Sequence, residues 1–328
     1  LKNTIDYYRI NGSHVFTCFI DFNKAFDNVD YWLLFCKMLD MWDDSKFRVF
    51  TMLLANWYST QFAFVRWHNV QSEYFKVCNG VRQGGVLSPL LFRLYVRDLI
   101  HHMSNIRVGC NIGGYMLNLL CYADDMVLLA PTCRALQYLI TCLHTLATSI
   151  FMSFNIKKTV CMIFKPRCRH KIICSDFPAF TADGDQLKTV DEFKYLGHLI
   201  SNDSRDDADI KREIKSLFTR CNVLKSRYMR CSFEVKLCLF RTYCFCLYGT
   251  GLWSNYNASS MTLLRSCFNK CLKHFFGYAK YHSVTAMLLE LGVPCLQTLI
   301  HNARHNLRQS LLKCDNTLIV KAVLITCC

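Results

Sequence analysis

The sequence is short of acidic residues, and that shortage is the first property that constrains its function. Its 328 residues include 24 Asp and Glu against 39 Lys and Arg, which gives a formal net charge of +15 at pH 7. Such an excess of positive charge favours polyanionic partners over acidic small molecules. Charge alone leaves one alternative open, a basic protein whose charge only keeps it in solution.

Other features are missing as well, and each absence narrows the class of protein. The most apolar stretch, residues 235–252, contains Lys236 and Arg241, so we do not expect a membrane-spanning helix. The first residues lack a secretory signal pattern, and the 21 cysteines are scattered rather than spaced as a disulfide framework, so we expect reduced thiols. With 52% hydrophobic residues, a chain of this length is predicted to hold two globular domains.

Two adjacent acids, Asp124 and Asp125, stand between apolar runs at residues 117–121 and 126–130. Turns favour Asp whereas strands do not, so the pattern predicts a β-hairpin with the acids at its tip. Neighbouring carboxylates repel and raise one another's pKa, and such a pair usually persists where a hard cation binds. The alternative is a pair of ordinary turn residues on a solvated rim.

A third acid, Asp21, follows a continuous apolar run at residues 15–20, which predicts a strand covered on both faces. Open mixed sheets tend to bind ligands at the carboxyl ends of their strands. If this strand lies beside the hairpin, the three acids converge. Carboxylates and substrate phosphates would then hold a pair of Mg²⁺ ions.

The segment between these acids is predicted to form two helices and a second hairpin. Asp30 is a plausible N-cap for a helix that ends near residue 41, and Ser45 opens the next helix. Residues 62–67 and 74–77 have the pattern of a hairpin. One stripe of the second helix is expected to face the core, namely Phe47, Phe50, Leu54 and Trp57.

Residues 79–92 combine a glycine loop with the start of a helix. Glycines permit a ligand to approach the backbone closely, and Ser88–Pro89 has the pattern of an N-cap followed by a first-turn proline. A helix N-terminus behind a glycine loop suits a phosphate or a base-paired nucleotide. A plain turn is the alternative.

The remainder of the chain is predicted to be mostly helical. Residues 136–146 have an amphipathic pattern, and the polar break at residues 201–209 is interpreted as a domain boundary. Residues 211–241 carry nine Lys or Arg interleaved with apolar residues at helical spacing. Such helices are able to bind a phosphate backbone; the alternative is that their charges only face solvent.

Taken in order, five motifs resemble those of the reverse transcriptases, and within them the polymerases of LINE-type, non-LTR retrotransposons. Together they cover roughly residues 15–200. The matching stretches are residues 21–27 (DFNKAFD) for motif A, 80–92 for motif B, 122–125 (YADD) for motif C, 155–159 (N-x-x-K-T) for motif D and 193–197 (F-x-Y-L-G) for motif E.

The resemblance implies an α+β fold with a right-hand polymerase palm. The palm, with residual fingers, would occupy residues 1–200 as an antiparallel sheet with packing helices. Residues 201–328 would form an all-α thumb and C-terminal region. The implied activity is RNA-directed DNA synthesis, with an RNA template, a DNA primer and dNTPs as partners.

The resemblance also implies roles for individual residues. Asp21 and Asp124 would ligate two Mg²⁺ ions with help from the carbonyl of Phe22, and Asp125 would complete the acidic cluster. One ion would activate the primer 3′-hydroxyl and the other would neutralise the triphosphate. Lys158 would donate a proton to the departing pyrophosphate.

Further roles concern the substrates. Phe26 stands where similar enzymes place an aromatic gate against the ribose 2′-hydroxyl. Gln83 and Gly84 would line the nascent base pair and the template. The residues expected to contact nucleic acid are Tyr195, Leu196 and Gly197 in the primer grip and Lys211, Arg212 and Lys215 in the thumb.

Several other functions have to be weighed against RNA-directed DNA synthesis. An RNA-dependent RNA polymerase would commonly have Asp in place of Phe26 and Gly-Asp-Asp in motif C, and this chain has neither. The family's fingers segment and endonuclease are expected upstream of Leu1, so we expect an incomplete chain. A truncated remnant that only binds nucleic acid and a group II intron maturase-like enzyme are the alternatives. The expected location is intracellular, as a ribonucleoprotein of nucleus and cytoplasm.

Overall fold

The computed structural model of the chain describes residues 1–41, 44–167, 176–316 and 319–320. It divides into two units: Tyr8–Val190 together with Leu1, and Asp191–Cys328 together with Lys2–Tyr7. The first unit mixes helices with a sheet, and the second is mainly helical. The α+β class is thereby confirmed. The functional domains proposed above, 1–200 and 201–328, stay a prediction, since the two units divide ten residues earlier, after Val190.

The helices and strands include those that the sequence patterns predict and two further short hairpins, at residues 110–117 and 181–186. Up to Val190 they are α1 (Lys2–Ile10), β1 (Val15–Ile20), α2 (Tyr31–Met41), α3 (Ser45–Ser59), β2 (Phe62–Ala63), β3 (Arg66–Trp67), β4 (Val70–Gln71), β5 (Phe75–Lys76), α4 (Ser88–Tyr95), α5 (Arg97–Asn105), β6 (Cys110–Ile112), β7 (Tyr115–Leu117), β8 (Leu119–Tyr122), β9 (Asp125–Ala130), α6 (Cys133–Ser149), β10 (Val160–Phe164), β11 (Thr181–Ala182), β12 (Asp185–Gln186) and β13 (Lys188–Thr189). After Val190 they are β14 (Glu192–Tyr195), β15 (His198–Ser201), α7 (Asp207–Tyr228), α8 (Phe233–Cys244), a 3₁₀ turn (Thr250–Leu252), α9 (Ala258–Phe276), α10 (Val284–Leu291) and α11 (Leu296–Leu312).

Strand β1 is the centre of a five-stranded sheet with the order β13-β10-β1-β9-β8. It pairs antiparallel with both neighbours, β9 and β10, whereas the edge strand β13 runs parallel to β10. All six residues of β1 are buried, which confirms the predicted strand covered on both faces. Helix α6 packs on the sheet through five fully buried side chains, the small Ala147 and four large ones. The large ones are Leu136, Leu139, Ile140 and Leu143, each worth about 1.5–3 kcal/mol on burial.

The segment between β1 and the glycine loop differs from prediction in one respect. Helix α2 begins as expected, because the Asp30 carboxylate accepts a hydrogen bond from the amide of Leu33 (2.7 Å). Helix α3, in contrast, is rotated about its axis. Phe50 and Trp57, predicted to face the core, have 42% and 54% of their surface exposed. The side chains buried from this helix are Thr51, Leu54 and Tyr58.

The reason for this rotation lies in the packing of Tyr58. Its ring contacts Tyr31 edge-on at 5.2 Å and Phe35 at 5.9 Å, both on the neighbouring helix α2. Edge-to-face aromatic pairs of this kind add to the energy of simple burial.

The predicted hairpin over residues 62–77 is confirmed, as two short pairs of strands, β2 with β5 and β3 with β4.

In the second unit, the polar residues 201–209 are part of the folded interior. Asp206 and Asp209 are only 2% and 0% exposed, so this stretch is not a solvated linker. The indole of Trp253 donates a hydrogen bond to Asp209 (2.8 Å), and the amides of Ser254 and Asn255 donate to Asp206. The acids therefore hold the start of α7 against the segment after the 3₁₀ turn.

Among the described residues, no single helix is both long and apolar enough to cross a bilayer. The pair α10 and α11, bent by 59°, reaches the required length and composition only when the two helices are taken together.

Candidate active site

The predicted hairpin is confirmed, with Asp124 in its turn and Asp125 as the first residue of β9 rather than in the turn. Strands β8 and β9 pair up to Tyr122 and Asp125, which leaves Ala123 and Asp124 as the two turn residues. Ala123 has a φ of 54°, in the left-handed region that costs a residue with a Cβ roughly 1–2 kcal/mol. Such outliers concentrate at functional sites.

Asp21 comes to the same edge of the sheet as the hairpin tip. Ile20 pairs with Met126 in the antiparallel register of β1 and β9. Asp21, which follows Ile20, therefore lies beside Asp125, which precedes Met126. Burial raises the pKa of Asp125, and the charges of Asp124 and Asp21 raise it further. The three carboxylates thus share one electrostatic environment, as expected when strands β1 and β9 are neighbours.

Oxygen donors of this kind suit a hard divalent cation. In the part of the chain that the structure describes, no three His, Cys, Asp or Glu side chains stand close enough to hold one ion. Neighbouring carboxylates repel one another, and a divalent cation would neutralise them. The ligand type and the raised pKa of Asp125 therefore fit a divalent metal.

The backbone of Asp21 is held by the segment before β10. Its carbonyl accepts a hydrogen bond from the amide of Asn155 (2.7 Å), and its amide donates to the hydroxyl of Thr159 (3.2 Å). The Thr159 side chain is fully buried. Sequence reasoning assigned no role to Thr159. The only available signal was its place next to Lys158 in motif D.

Phe22 and Lys158 complete the surroundings of Asp21. The side chain of Phe22 is buried against Phe154, with ring centroids 5.5 Å apart, so its proposed metal contact rests on its backbone carbonyl. The Lys158 ammonium nitrogen is 3.9 Å from the nearer Asp21 carboxylate oxygen. Because 69% of this lysine side chain is exposed, the ion pair contributes little to stability.

A cleft of about 570 Å³ opens beside the hairpin tip. Phe26, Gln83, Gly84 and Asp124 all line it, so three residues predicted to contact the nucleotide share one cavity with a predicted metal ligand. The Phe26 ring is stacked on Phe92, with centroids 4.6 Å apart and planes inclined by 18°. This stacking fixes the orientation of the ring at the wall of the cleft.

The glycine loop is tied to the segment that follows β1. The amides of Gly80 and Val81 donate to the carbonyls of Val29 and Phe26, both at 2.8 Å. Gly80 has a φ of 86°, and a Cβ there would lie 2.7 Å from the carbonyl oxygen of Asp27. Only glycine allows this approach.

The prediction for Ser88 is wrong in detail. Ser88 is the first residue of α4 rather than its N-cap, which is Leu87. Its buried hydroxyl donates to the carbonyl of Arg82 and so closes the glycine loop. The error arises because a serine before proline looks the same in either role, and its acceptor lies six residues earlier rather than in the first turn of the helix.

The residues expected to contact nucleic acid lie in the second unit. Leu196 and Gly197 form the turn between β14 and β15, where the Tyr248 hydroxyl donates to the carbonyl of Leu196 (2.8 Å). A Cβ on Gly197 would lie 2.9 Å from the Tyr248 ring, so the turn is packed closely against it. Tyr195, the last residue of β14, pairs with His198.

The three basic residues at the start of α7 differ in their surroundings. Lys211 and Lys215 are exposed. The Arg212 guanidinium, in contrast, lies 2.6 Å from Asp209 and 3.3 Å from Glu213, two carboxylates with no exposed surface. The charge of Arg212 is thus already balanced inside the unit.

Comparison with known proteins gives the family. The model that describes reverse transcriptase (RNA-dependent DNA polymerase) matches residues 2–200. Among curated proteins, the chain is 28% identical over 195 residues to the Pol polyprotein of the type-2 retrotransposable element R2DM of Drosophila melanogaster, covering 58% of this chain and 18% of that protein. It is 25% identical over 246 residues to the RNA-directed DNA polymerase from the mobile element jockey of Drosophila funebris, covering 72% and 25%.

Two solved structures also align along most of the chain. Apo telomerase from Candida tropicalis superposes with a TM-score of 0.46 at 12% identity, covering 98% of this chain and 55% of that one. Candida albicans telomerase with a fragment of telomeric RNA gives 0.42 at 11% identity, covering 98% and 54%. The chain spans about a fifth to a quarter of the length of the two curated relatives above. Because the family model matches more than half of the sequence, the chain belongs to the reverse transcriptase (RNA-dependent DNA polymerase) family.

Proposed function

We propose that this chain is the polymerase domain of a non-LTR retrotransposon reverse transcriptase, which joins a dNTP to a primer 3′-hydroxyl on an RNA template. The observation that carries the proposal is that the charges of Asp21 and Asp124 both act on Asp125 at one edge of the sheet, while Asp124 lines the cleft with Phe26 and Gln83. The similarity to retrotransposon polymerases favours this function over a group II intron maturase.

In the proposed reaction, the primer oxygen forms a bond to the α-phosphorus while the bond from that phosphorus to the β-phosphate oxygen breaks. Two Mg²⁺ ions, when bound, would lower the pKa of the primer hydroxyl and neutralise the triphosphate. Asp21, Asp124, Asp125 and the carbonyl of Phe22 would hold them. Lys158, beside Asp21, would pass a proton to the departing pyrophosphate.

The other residues of the cleft would position the substrates. Gln83 and Gly84 would lie along the nascent base pair, and the stacked ring of Phe26 would occupy the space that a ribose 2′-hydroxyl needs. The turn at Tyr195, Leu196 and Gly197 would contact the primer. We extend the proposal to an intracellular ribonucleoprotein as the working form.

Phe26→Val is expected to weaken selection against ribonucleotides. Valine removes the ring from the wall of the cleft but keeps the side chain apolar, so the ratio of ribo- to deoxynucleotide incorporation should rise by about tenfold or more. Primer extension with one dNTP and its matching NTP measures the ratio. Phe26→Tyr, which keeps the ring, is the control, and an unchanged ratio in Phe26→Val would remove the gate assignment.

Thr159→Val is expected to weaken metal binding by about tenfold, as loss of an outer contact behind a ligand commonly does. Valine fits the same space but cannot accept the hydrogen bond from the Asp21 amide. The backbone of Asp21 then keeps the hydrogen bond from the amide of Asn155 but loses the one to residue 159. Titration with Mn²⁺ followed by electron paramagnetic resonance, without nucleotide, measures the affinity. Thr159→Ser keeps the hydroxyl and should bind normally, whereas a lower melting temperature with unchanged Mn²⁺ affinity would show a purely structural role.

Primer extension on poly(A) with oligo(dT), dTTP and Mg²⁺ tests the function itself. The chain should be assayed alone and in a longer form that includes the upstream segment of its element. Extension that depends on Mg²⁺ is the expected result. Binding of the primer–template without extension in both forms would instead support a remnant that only binds nucleic acid.

A further inference from the structure

A second cleft, of about 820 Å³, lies wholly within the helical unit. Its walls come from the middle of α7, the second half of α9, the loop that follows α9 and the start of α10. A cavity of this size is typical of a site for a small molecule or for one or two nucleotides. None of the residues assigned to the polymerase reaction lines it.

The charge of this cleft is positive. Lys270, Lys273 and Lys280 line it, and the described residues of its lining include no Asp or Glu. Lys225 adds a fourth ammonium, which donates to the Nε2 atom of His274 on the wall (2.6 Å). An ammonium can only donate, so the Nε2 atom of His274 is the acceptor in this contact. Clustered lysines without balancing acids attract phosphate.

The nearby acid does not neutralise these lysines. Glu290 on α10 lies 3.7 Å from His282 and interacts with the hydroxyl of Tyr278. The ammonium of Lys273 donates to the carbonyls of Lys280 (2.8 Å) and His282 (2.6 Å). Lys273 thereby holds the loop after α9 in place, which leaves Lys270 and Lys280 as the lysines best placed to meet a ligand.

Aromatic rings stand at the rim of the same cleft. Tyr281 is 89% exposed, and Phe218 on the α7 wall is 41% exposed. The Lys280 ammonium lies 5.3 Å from the centre of the Tyr281 ring. Exposed rings beside lysines are the combination with which proteins bind unpaired bases, because any base can stack on a ring while the cations follow the backbone.

We propose that this cleft binds a single-stranded segment of nucleic acid, with one unpaired base stacked on Tyr281 and the flanking phosphates near Lys270 and Lys280. Duplex offers no unpaired base and is not the expected ligand. Asn222 and Asn269 on the walls can donate and accept hydrogen bonds at the edge of a base. The proposal does not rest on polymerase activity, because binding at this cleft requires neither metal nor dNTP.

The test uses the full chain in EDTA with fluorescently labelled oligonucleotides of 12 nucleotides, as single-stranded RNA, single-stranded DNA and duplex. Fluorescence anisotropy measures affinity at several salt concentrations. Hydrogen–deuterium exchange locates the binding site. Binding of either single strand should slow exchange in the peptides from the second half of α9 through the loop that holds Tyr281. Duplex should not slow it.

Variants then separate the contributions. Tyr281→Ala should weaken single-strand binding at least about fivefold, and Tyr281→Trp, which restores a stacking surface, should recover it. Lys270→Gln should reduce the slope of log affinity against log salt by about 0.7. Arg308→Gln removes the same charge from an exposed position on α11 that does not line the cleft, so it should leave the slope unchanged.

Three results would overturn the proposal. They are unchanged exchange around Tyr281, protection by duplex alone, and equal effects of Lys270→Gln and Arg308→Gln. Because Tyr281 is exposed, its variants should melt as the parent chain does. The Asp124→Asn variant should bind single-stranded nucleic acid at this cleft as the parent chain does. A failed polymerase assay would therefore count against the proposed function, and a failed binding assay against this cleft as a binding site.

Discussion

Asp124→Asn should reduce Mg²⁺-dependent dNTP incorporation by roughly a thousandfold or more. Asparagine keeps the size of the turn residue but removes the negative charge that faces the cleft and the neighbouring carboxylates. The loss of a metal ligand forfeits several kcal/mol of charge stabilisation in the transition state, and each 1.36 kcal/mol is tenfold in rate. Single-turnover primer extension in a form that shows wild-type activity measures the effect.

A matched control is available in the same unit. Asp183, like Asp124, is a turn residue of a β-hairpin; it lies between β11 and β12, is exposed and has a φ of 53°. Asn tolerates that conformation, so Asp183→Asn should leave both folding and incorporation unchanged. If Asp124→Asn incorporated dNTPs as fast as Asp183→Asn, the hairpin tip would not be the metal site and the proposed function would fail.

Asp209→Asn should destabilise the helical unit by about 3–5 kcal/mol, the usual result of removing one partner from a buried ion pair. Asp209 has no exposed surface and accepts hydrogen bonds from Arg212, Trp253 and the amide of Leu199. Its loss leaves the Arg212 charge only partly balanced. For a unit of this size the melting temperature should fall by roughly 6–20 °C in calorimetry.

The pH dependence of this effect identifies its cause. Burial would raise the pKa of Asp209, but the hydrogen bonds from His198, Arg212, Leu199 and Trp253 outweigh burial and hold it well below its ordinary range. A carboxylate whose folded pKa is depressed contributes stability that is present above its unfolded pKa, near 4, and lost as pH falls through the folded pKa. The difference in melting temperature between parent and variant should therefore stay constant at neutral pH and shrink only below about pH 4.

The control for this variant is Asp315→Asn. Asp315 lies in the same unit, just after α11, and is exposed. The same change of charge there should shift the melting temperature by less than about 2 °C, since surface substitutions usually alter stability by under 0.5 kcal/mol. Equal shifts in the two variants would contradict a role for the buried network around Asp209.

Local sequence patterns predict the parts of this fold that depend on neighbours along the chain. The apolar runs of β1 and β9 predict strands, because burial on both faces demands uninterrupted apolar residues, whereas the run before Asp124 forms the half-exposed edge strand β8. The placement of Asp21 beside Asp125 follows once those strands are neighbours. The roles of the metal ligands, the nucleotide contacts and Lys158 stay predictions, because only measurements of binding and activity can test them.

The features that sequence reasoning missed depend on distant partners. Asp209 looks like part of a solvated break until Trp253, 44 residues away, donates to it. Thr159 looks like an ordinary polar residue before a strand until it is seen to accept from the amide of Asp21, 138 residues away. The rotation of α3 depends on how Tyr58 packs against α2. No local pattern contains these contacts.

The central position of β1 also has a consequence for how the protein is made. Val15–Ile20 is synthesised well before its partner strands, since the Thr17 hydroxyl finds its acceptor on Met162, 145 residues later in the chain. Until β9 and β10 have been synthesised, a mostly apolar strand has both of its hydrogen-bonding edges open, and open edges invite aggregation. We therefore expect nascent chains that stop short of β10 to require chaperones.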